Sequence, residues 1–194
     1  MEKIPTLFVR NVENMKLVTR DVTPGCEWVL AGEGVPTRKF DGTNVRVTVS
    51  GGKAVKFEKR RNPSREEKAS GAEPGYVEAE PTDPADKHIF AAFNATDYEA
   101  WPDGAWSCEA LGPKIQGGAE GAVPQLVPFS LPRWPGMAQL LTSPRDFDSM
   151  EAWLKDNNVE GIVWHHPDGR LAKIKRRDFG LPWPIKPEKG ADRG

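Results

Sequence analysis

Cysteine is scarce in these 194 residues, with only Cys26 and Cys108. They form no C-x-x-C pair and no Cys/His cluster, so neither a structural zinc site nor a redox dithiol is indicated, and a reducing compartment is the default. Long apolar runs are missing as well. Met1-Glu2-Lys3-Ile4-Pro5 is not the start of a signal peptide, and no window reaches the ~20 apolar residues of a membrane span. The expectation is a soluble, cytoplasmic protein with no membrane partner. An excess of charge of either sign is also missing: 27 basic against 28 acidic side chains leave a formal net charge of −1. A polycation that holds nucleic acid by bulk charge is thereby excluded, and any such binding needs a local basic surface.

What is present suffices for a folded core. With 38% hydrophobic residues in 194, one domain is expected over residues 1–185, followed by a polar tail at 186–194. Val45, Val47 and Val49 alternate with Asn44, Arg46 and Thr48, the pattern of a strand with one buried face. Ser50-Gly51-Gly52-Lys53 is a tight turn, and the alternation resumes from Ala54 to Lys59, so the two segments read as a hairpin. From Asn62 to Lys87 the chain is rich in Pro, Gly, Glu and Ala, which predicts a surface excursion without core.

A helix is expected from Pro84 or Ala85 to about Tyr98, with Asp83 as N-cap and Ile89, Phe90 and Phe93 on its apolar side. Trp106 to Leu111 reads as a strand, and Pro124 to Gly136 as a strand flanked by extended loops. Phe147, Met150, Trp153 and Leu154 recur at helical spacing, giving a second helix over 146–156. Val159 to His165 and Leu171 to Lys175 are strands joined by the turn His166-Pro167-Asp168-Gly169. The sum is a strand-dominated α+β pattern of antiparallel sheets with helices outside.

Three segments carry chemistry. Lys39-Phe40-Asp41-Gly42 is a K-x-D-G tetrapeptide, by itself no more than a common turn with a lysine beside it. Downstream come Glu160-Gly161-Ile162-Val163 and Lys173-Ile174-Lys175, both on expected strands. Alternation aims Lys173 and Lys175 at one face, where two like charges need an anion or water between them. His88, His165 and His166 have no metal-ligand spacing with either cysteine and read as structural or solvated. Trp164 reads as core.

In this order the segments resemble the covalent nucleotidyltransferase superfamily of ATP-dependent RNA and DNA ligases and mRNA capping enzymes. Lys39-Phe40-Asp41-Gly42 matches its motif I, Ser107-Cys108-Glu109 motif III, Glu160-Gly161-Ile162-Val163 motif IV and Lys173-Ile174-Lys175 motif V. Three phrases make the chain most similar to RNA ligases: Lys39-Phe40-Asp41-Gly42-Thr43-Asn44, Leu111-Gly112-Pro113-Lys114-Ile115-Gln116-Gly117 and Lys173-Ile174-Lys175-Arg176-Arg177-Asp178-Phe179.

The resemblance implies two antiparallel β-sheets packed around a nucleotide pocket with flanking helices, the ligase adenylation-domain fold. Fewer than ~20 residues follow Lys175, too few for an appended OB domain, so none is expected here.

The resemblance also implies a chemistry. Lys39 would attack the α-phosphorus of ATP, the source of a covalent lysyl-AMP. The AMP would pass to an RNA 5'-phosphate, and a 3'-hydroxyl would displace it. Lysine attacks only when neutral, and an ordinary pKa near ~10.4 leaves little free amine at pH 7. Lys173, Lys175 and Mg²⁺ (or Mn²⁺) would supply the nearby positive charge that favours the neutral amine. Glu160 would hold the metal and Glu109 would accept a ribose hydroxyl.

Arg38, Asp41, Gly42 and Arg46 join the nucleotide-binding candidates, Arg46 with a solvated face as its alternative role. Either Arg60 or Arg61 matches the arginine that follows motif I. Lys114, Arg176 and Arg177 either extend a basic stripe for RNA backbone or are solvated surface charges. RNA with 5'-phosphate and 3'-hydroxyl ends is the expected partner, and no protein partner is called for. A capping-type guanylyltransferase, a DNA ligase and a non-catalytic nucleotide or RNA-end binder are the alternatives.

Overall fold

Ten strands and four α-helices order the residues that the computed structural model describes, which are 3–121, 123–129 and 143–185. In chain order these are β1 (Phe8–Arg10), β2 (Val18–Val22), α1 (Glu27–Leu30), β3 (Val35–Lys39), β4 (Thr43–Ser50), β5 (Lys53–Arg61) and α2 (Arg65–Ala69). Then follow β6 (Gly75–Glu78), α3 (Lys87–Ala95), β7 (Gly104–Leu111), β8 (Gln125–Pro128), α4 (Phe147–Asp156), β9 (Gly161–His165) and β10 (Leu171–Lys175). This is an α+β architecture with three sheets, in which every strand pairs antiparallel to its neighbour. The described residues fall into two compact units, and the chain crosses from one to the other between Lys39 and Phe40.

The unit beginning at Phe40 is built on a five-stranded sheet in the order β6-β5-β4-β7-β8. Its centre is the expected hairpin. Ser50 pairs with Lys53 across Gly51 and Gly52, both at positive φ, the backbone that a two-residue turn between twisted strands requires. Val45, Val47 and Val49 are fully buried on one face with Phe57, and α3 packs there through Ile89 and Ala92. Phe57 stacks on Phe93 at 4.4 Å between ring centroids and meets Phe90 edge-on at 5.2 Å.

Two expectations are corrected in this unit. The 62–87 stretch is not a coreless excursion. Ser64 and Glu67 close a capping box that starts α2, β6 pairs with β5 as an edge strand, and Ala79 is buried in the core. The helix that follows starts later than expected, with Asp86 rather than Asp83 at its N-cap. Asp83 instead accepts from the Ala85 N–H, an Asx turn that uses up the local helix signal two residues early. The extended loop expected up to Gly136 lies outside the described residues beyond Phe129, as does the 186–194 tail.

The other unit holds residues 4–39 and 143–185 of the described chain. A three-stranded sheet, β10-β9-β3, and the β1-β2 ribbon close over a core of Leu7, Phe8, Val29, Leu154, Ile162 and Trp164. The helix expected at 146–156 is α4: Asp146 caps it by accepting from the Ser149 N–H, and Met150 and Leu154 are fully buried. The β1-β2 ribbon, α1 and β3 had no counterpart in the sequence reading. Among the described residues no helix is long and apolar enough to cross a membrane.

Candidate functional site

Lys39 ends β3, and β9 lies between β3 and β10. The register places Lys39 and Lys175 opposite the same residue, Gly161, one from each side. One step along, Thr37 and Lys173 lie opposite Val163. Directly opposed residues share a sheet face, so Lys39, Lys173 and Lys175 all belong to one face of a three-stranded sheet. The other face carries Ile162, Trp164, Ala172 and Ile174 into the core.

Gly161 is required at the centre of this face. A Cβ there would come within 2.9 Å of Lys175 Cα and closer still to the Ile174 carbonyl oxygen. Glu160, just before β9, is only 7% exposed, and its carboxylate forms an ion pair with Lys39 Nζ. Lys39, Gly161, Lys173 and Lys175 thus converge on one sheet face. His165 also lies on it, with Nε2 3.0 Å from Thr37 Oγ1, and burial pushes its imidazole below the ordinary pKa. His166 bonds Glu33 at 2.7 Å in the following turn, and this contact raises its pKa. Both histidines have structural partners.

Alternation gives Arg38 the face opposite Lys39, in register with Ile162. The surface reading of Arg176 is corrected. It is 3% exposed, and its guanidinium donates to the carbonyls of Leu154, Asn157 (2.8 Å) and Pro182 (2.9 Å). A buried arginine that satisfies the C-terminal carbonyls of α4 is not available to RNA backbone. Arg177 is exposed and donates to the Trp183 carbonyl at 2.7 Å.

The five-stranded unit carries Arg46, Arg60 and Glu109 on the face turned away from α3. Asn44 is paired with Glu109 and Arg46 with both Glu58 and Ser107. Arg60 lies opposite Tyr76 on that face, two residues from Glu58. Arg61, one residue on, takes the other face and forms an ion pair with Glu67 of α2. The register therefore separates two arginines that the sequence left equivalent.

Arg46 is partly exposed and is paired within its own sheet face. Its Nε and Nη2 bind the two Glu58 oxygens at 2.7 and 2.8 Å, and its guanidinium lies 4.4 Å from the Tyr76 ring centre. The Arg46 hydrogen bond, with help from Lys56, holds the buried Glu58 carboxyl at about 2.

Asp41 and Gly42 follow Lys39 in the chain but belong to this second unit. The Gly42 N–H donates to Glu109 at 2.9 Å, and the Asp41 N–H to Glu120 at 2.9 Å. A Cβ on Gly42 would come within 2.7 Å of the Glu109 side chain, so glycine lets the turn lie against β7. Lys114 is exposed in the loop after β7.

Sequence reasoning missed Tyr76, whose hydroxyl donates to Asn44 Oδ1 at 2.8 Å and lies 3.0 Å from Ser107 Oγ. It also missed Glu120. The alternation of Asn44 and Arg46 marked the polar face, but only strand pairing shows which distant residues complete it. Among the described residues no group of three or more His, Cys, Asp or Glu is placed to hold a metal.

Comparison with known proteins finds similarity to RNA ligases over the second half of the chain. Residues 106–193 match the family model described as RNA ligase 1. The RNA ligase 1 proteins of Danio rerio and Pongo abelii are 32% and 35% identical to the chain over 81 residues. That of Mus musculus is 32% identical over the same length. Each alignment covers 40% of this chain and 25% of the relative, so the matched chain spans a quarter of the length of these relatives. The family-model match takes in Glu109, Glu160, Lys173 and Lys175. Lys39 lies outside it.

Proposed function

We propose that the chain is an ATP-dependent RNA ligase that joins 5'-phosphate and 3'-hydroxyl RNA ends through a lysyl-AMP on Lys39. The observation that carries this reading is the register: Lys39 and Lys175 flank Gly161 on one sheet face, with Lys173 beside them and the Glu160 carboxylate on Lys39 Nζ. Three lysines on one face are cationic groups suited to a triphosphate.

In the first step Lys39 Nζ bonds to the α-phosphorus of ATP, the bond to the bridging oxygen breaks, and pyrophosphate leaves with the electron pair. Lys173 and Lys175 bind the phosphate oxygens and offset the charge that develops. On the five-stranded unit, Glu109 is the candidate acceptor for a ribose hydroxyl, and Arg60, on the face of Asn44 and Glu109, is a candidate for ribose or phosphate. The RNA 5'-phosphate then displaces Lys39 Nζ from the AMP, and the 3'-hydroxyl displaces AMP to close the strand. Lys114 and Arg177 supply backbone charge for RNA.

The donor set suits Mg²⁺. Glu160 offers a hard, nearly buried oxygen that already carries a cation, and with no three-residue acidic cluster among the described residues, phosphate and water would complete the shell. Held by Glu160, Mg²⁺ would supply charge neutralisation at the phosphates.

Incubation with α-labelled ATP or GTP in the absence of RNA tests the reading. A label that survives denaturation, formed with ATP and lost in Lys39→Ala, is expected. Labelling by GTP alone would instead indicate a capping-type enzyme, and no label with either nucleotide would refute covalent catalysis.

A further inference from the structure

Both motif V lysines are anchored by the N-terminal segment, at two successive points. Thr6 bridges Lys173 in parallel: the Lys173 N–H donates to the Pro5 carbonyl at 3.0 Å, and the Lys173 carbonyl accepts from the Leu7 N–H at 2.7 Å. Two residues on, the Lys175 N–H donates to Asp178 Oδ2 at 2.8 Å. The other oxygen of that carboxylate, Oδ1, meets Arg10 Nη2 at 2.8 Å. Arg10 is itself held by Thr6 Oγ1 at 3.2 Å and the Lys16 carbonyl at 3.3 Å.

Asp178 is 2% exposed and cannot be a solvated surface charge. A buried carboxylate must be paired and hydrogen-bonded to persist, and here each oxygen has a different partner. On the far side, the Arg176 N–H donates to the Glu160 carbonyl at 2.9 Å. The backbone of Lys175 is therefore fixed between the Glu160 segment and the Arg10–Asp178 pair.

We infer that Arg10 and Asp178 are positioning residues for the reaction: the ion pair sets the backbone of Lys175, and through it where the Lys175 ammonium meets phosphate. The inference rests on the ligase reading above. Neither side chain touches the reacting atoms. Their effect arises because an in-line displacement tolerates little misplacement of a charge, roughly 100-fold in rate for about 1 Å.

The test is the single-turnover rate of lysyl-AMP formation and the KM for ATP, per folded molecule, in the wild type and in Arg10→Ala, Asp178→Asn and Asp178→Ala. Folded fraction is taken from circular dichroism at the assay temperature. Asp178→Ala should lower the rate at saturating ATP by about tenfold or more and raise KM. Asp178→Asn keeps an oxygen for the Lys175 N–H and should lie between wild type and alanine. Arg10→Ala, at a partly exposed position, should lose about threefold to tenfold.

A merely structural pair would lower the melting temperature and leave rate and KM per folded molecule within twofold of wild type, which overturns the inference. Equal loss in the asparagine and alanine variants overturns the backbone anchor. If Asp178→Ala does not fold, the other two variants decide by the same twofold criterion. Wild type that takes no label from ATP refutes the ligase reading itself, a result distinct from all of these.

Discussion

Gly161→Ala is the sharpest structural perturbation of the site, because the added methyl meets backbone and not the flexible end of a side chain. The new Cβ would fall 2.9 Å from Lys175 Cα and 3.1 Å from the Ile174 carbonyl carbon, with the carbonyl oxygen closer still. Carbon contacts relax at about 3.5–4.0 Å, so β9 and β10 must separate locally by roughly 1 Å. Overpacking of this kind costs about 1–3 kcal/mol, and each ladder hydrogen bond that stretches beyond reach adds roughly 1 kcal/mol. A total near 3 kcal/mol corresponds to a fall in melting temperature of roughly 6–12 °C for a chain of this size.

The functional effect should be larger than the stability loss implies. Gly161 is opposite both Lys39 and Lys175, so the same separation moves Lys39 relative to Lys175. Lysyl-AMP formation, measured well below the melting transition, should fall by about 100-fold. A melting temperature within 1 °C of wild type together with a labelling rate within threefold would refute both the close strand approach and its role in register.

Two further outcomes follow from buried charge. Glu58 has its pKa depressed to about 2, so the stability it contributes is present above the ordinary carboxyl range and is lost as pH falls from about 5 towards 2. Glu58→Gln should cost about 1–3 kcal/mol at pH 7, after allowance for the partly exposed Arg46 and Lys56, and the gap to wild type in urea melts should close with acid. A gap that widens with acid would show the carboxylate to be unpaired. Arg176→Ala, which orphans three carbonyls, should cost roughly 2–4 kcal/mol in the same melts. The salt dependence of RNA sealing should keep its slope, and a shallower slope would return Arg176 to the RNA surface.

Local pattern made much of this protein legible. The valines at 45, 47 and 49 and the turn at Gly51-Gly52 specified the central hairpin, because period-2 burial and positive-φ glycines are decided within a few residues. The same holds for α4, with Asp146 as its cap, and for the pairing of β9 with β10 through a Pro-Asp-Gly turn. Alternation correctly put Lys173 and Lys175 on one face, and the order of Lys39, Glu109, Glu160 and the two lysines pointed to the class of chemistry.

What failed were statements that depend on distant partners. Arg176 looks like its neighbour Arg177 in the chain, yet it is buried because α4 ends where its guanidinium can satisfy free carbonyls. The polar 62–87 stretch gained an edge strand because β5 offered unpaired backbone, a template that composition does not reveal.

Sequence by itself determined which residues carry charge and reactivity and which local elements hold them. Tertiary structure decided which of those residues meet. Lys39 and Glu160 are 121 positions apart and became an ion pair only through the pairing of β3 with β9. Arg60 and Arg61, alike in sequence, were assigned opposite faces by the register of β5. Side-chain periodicity is a property of a few bonds, whereas strand register is set by the packing of a whole sheet, and the proposed chemistry of Lys39 depends on that register.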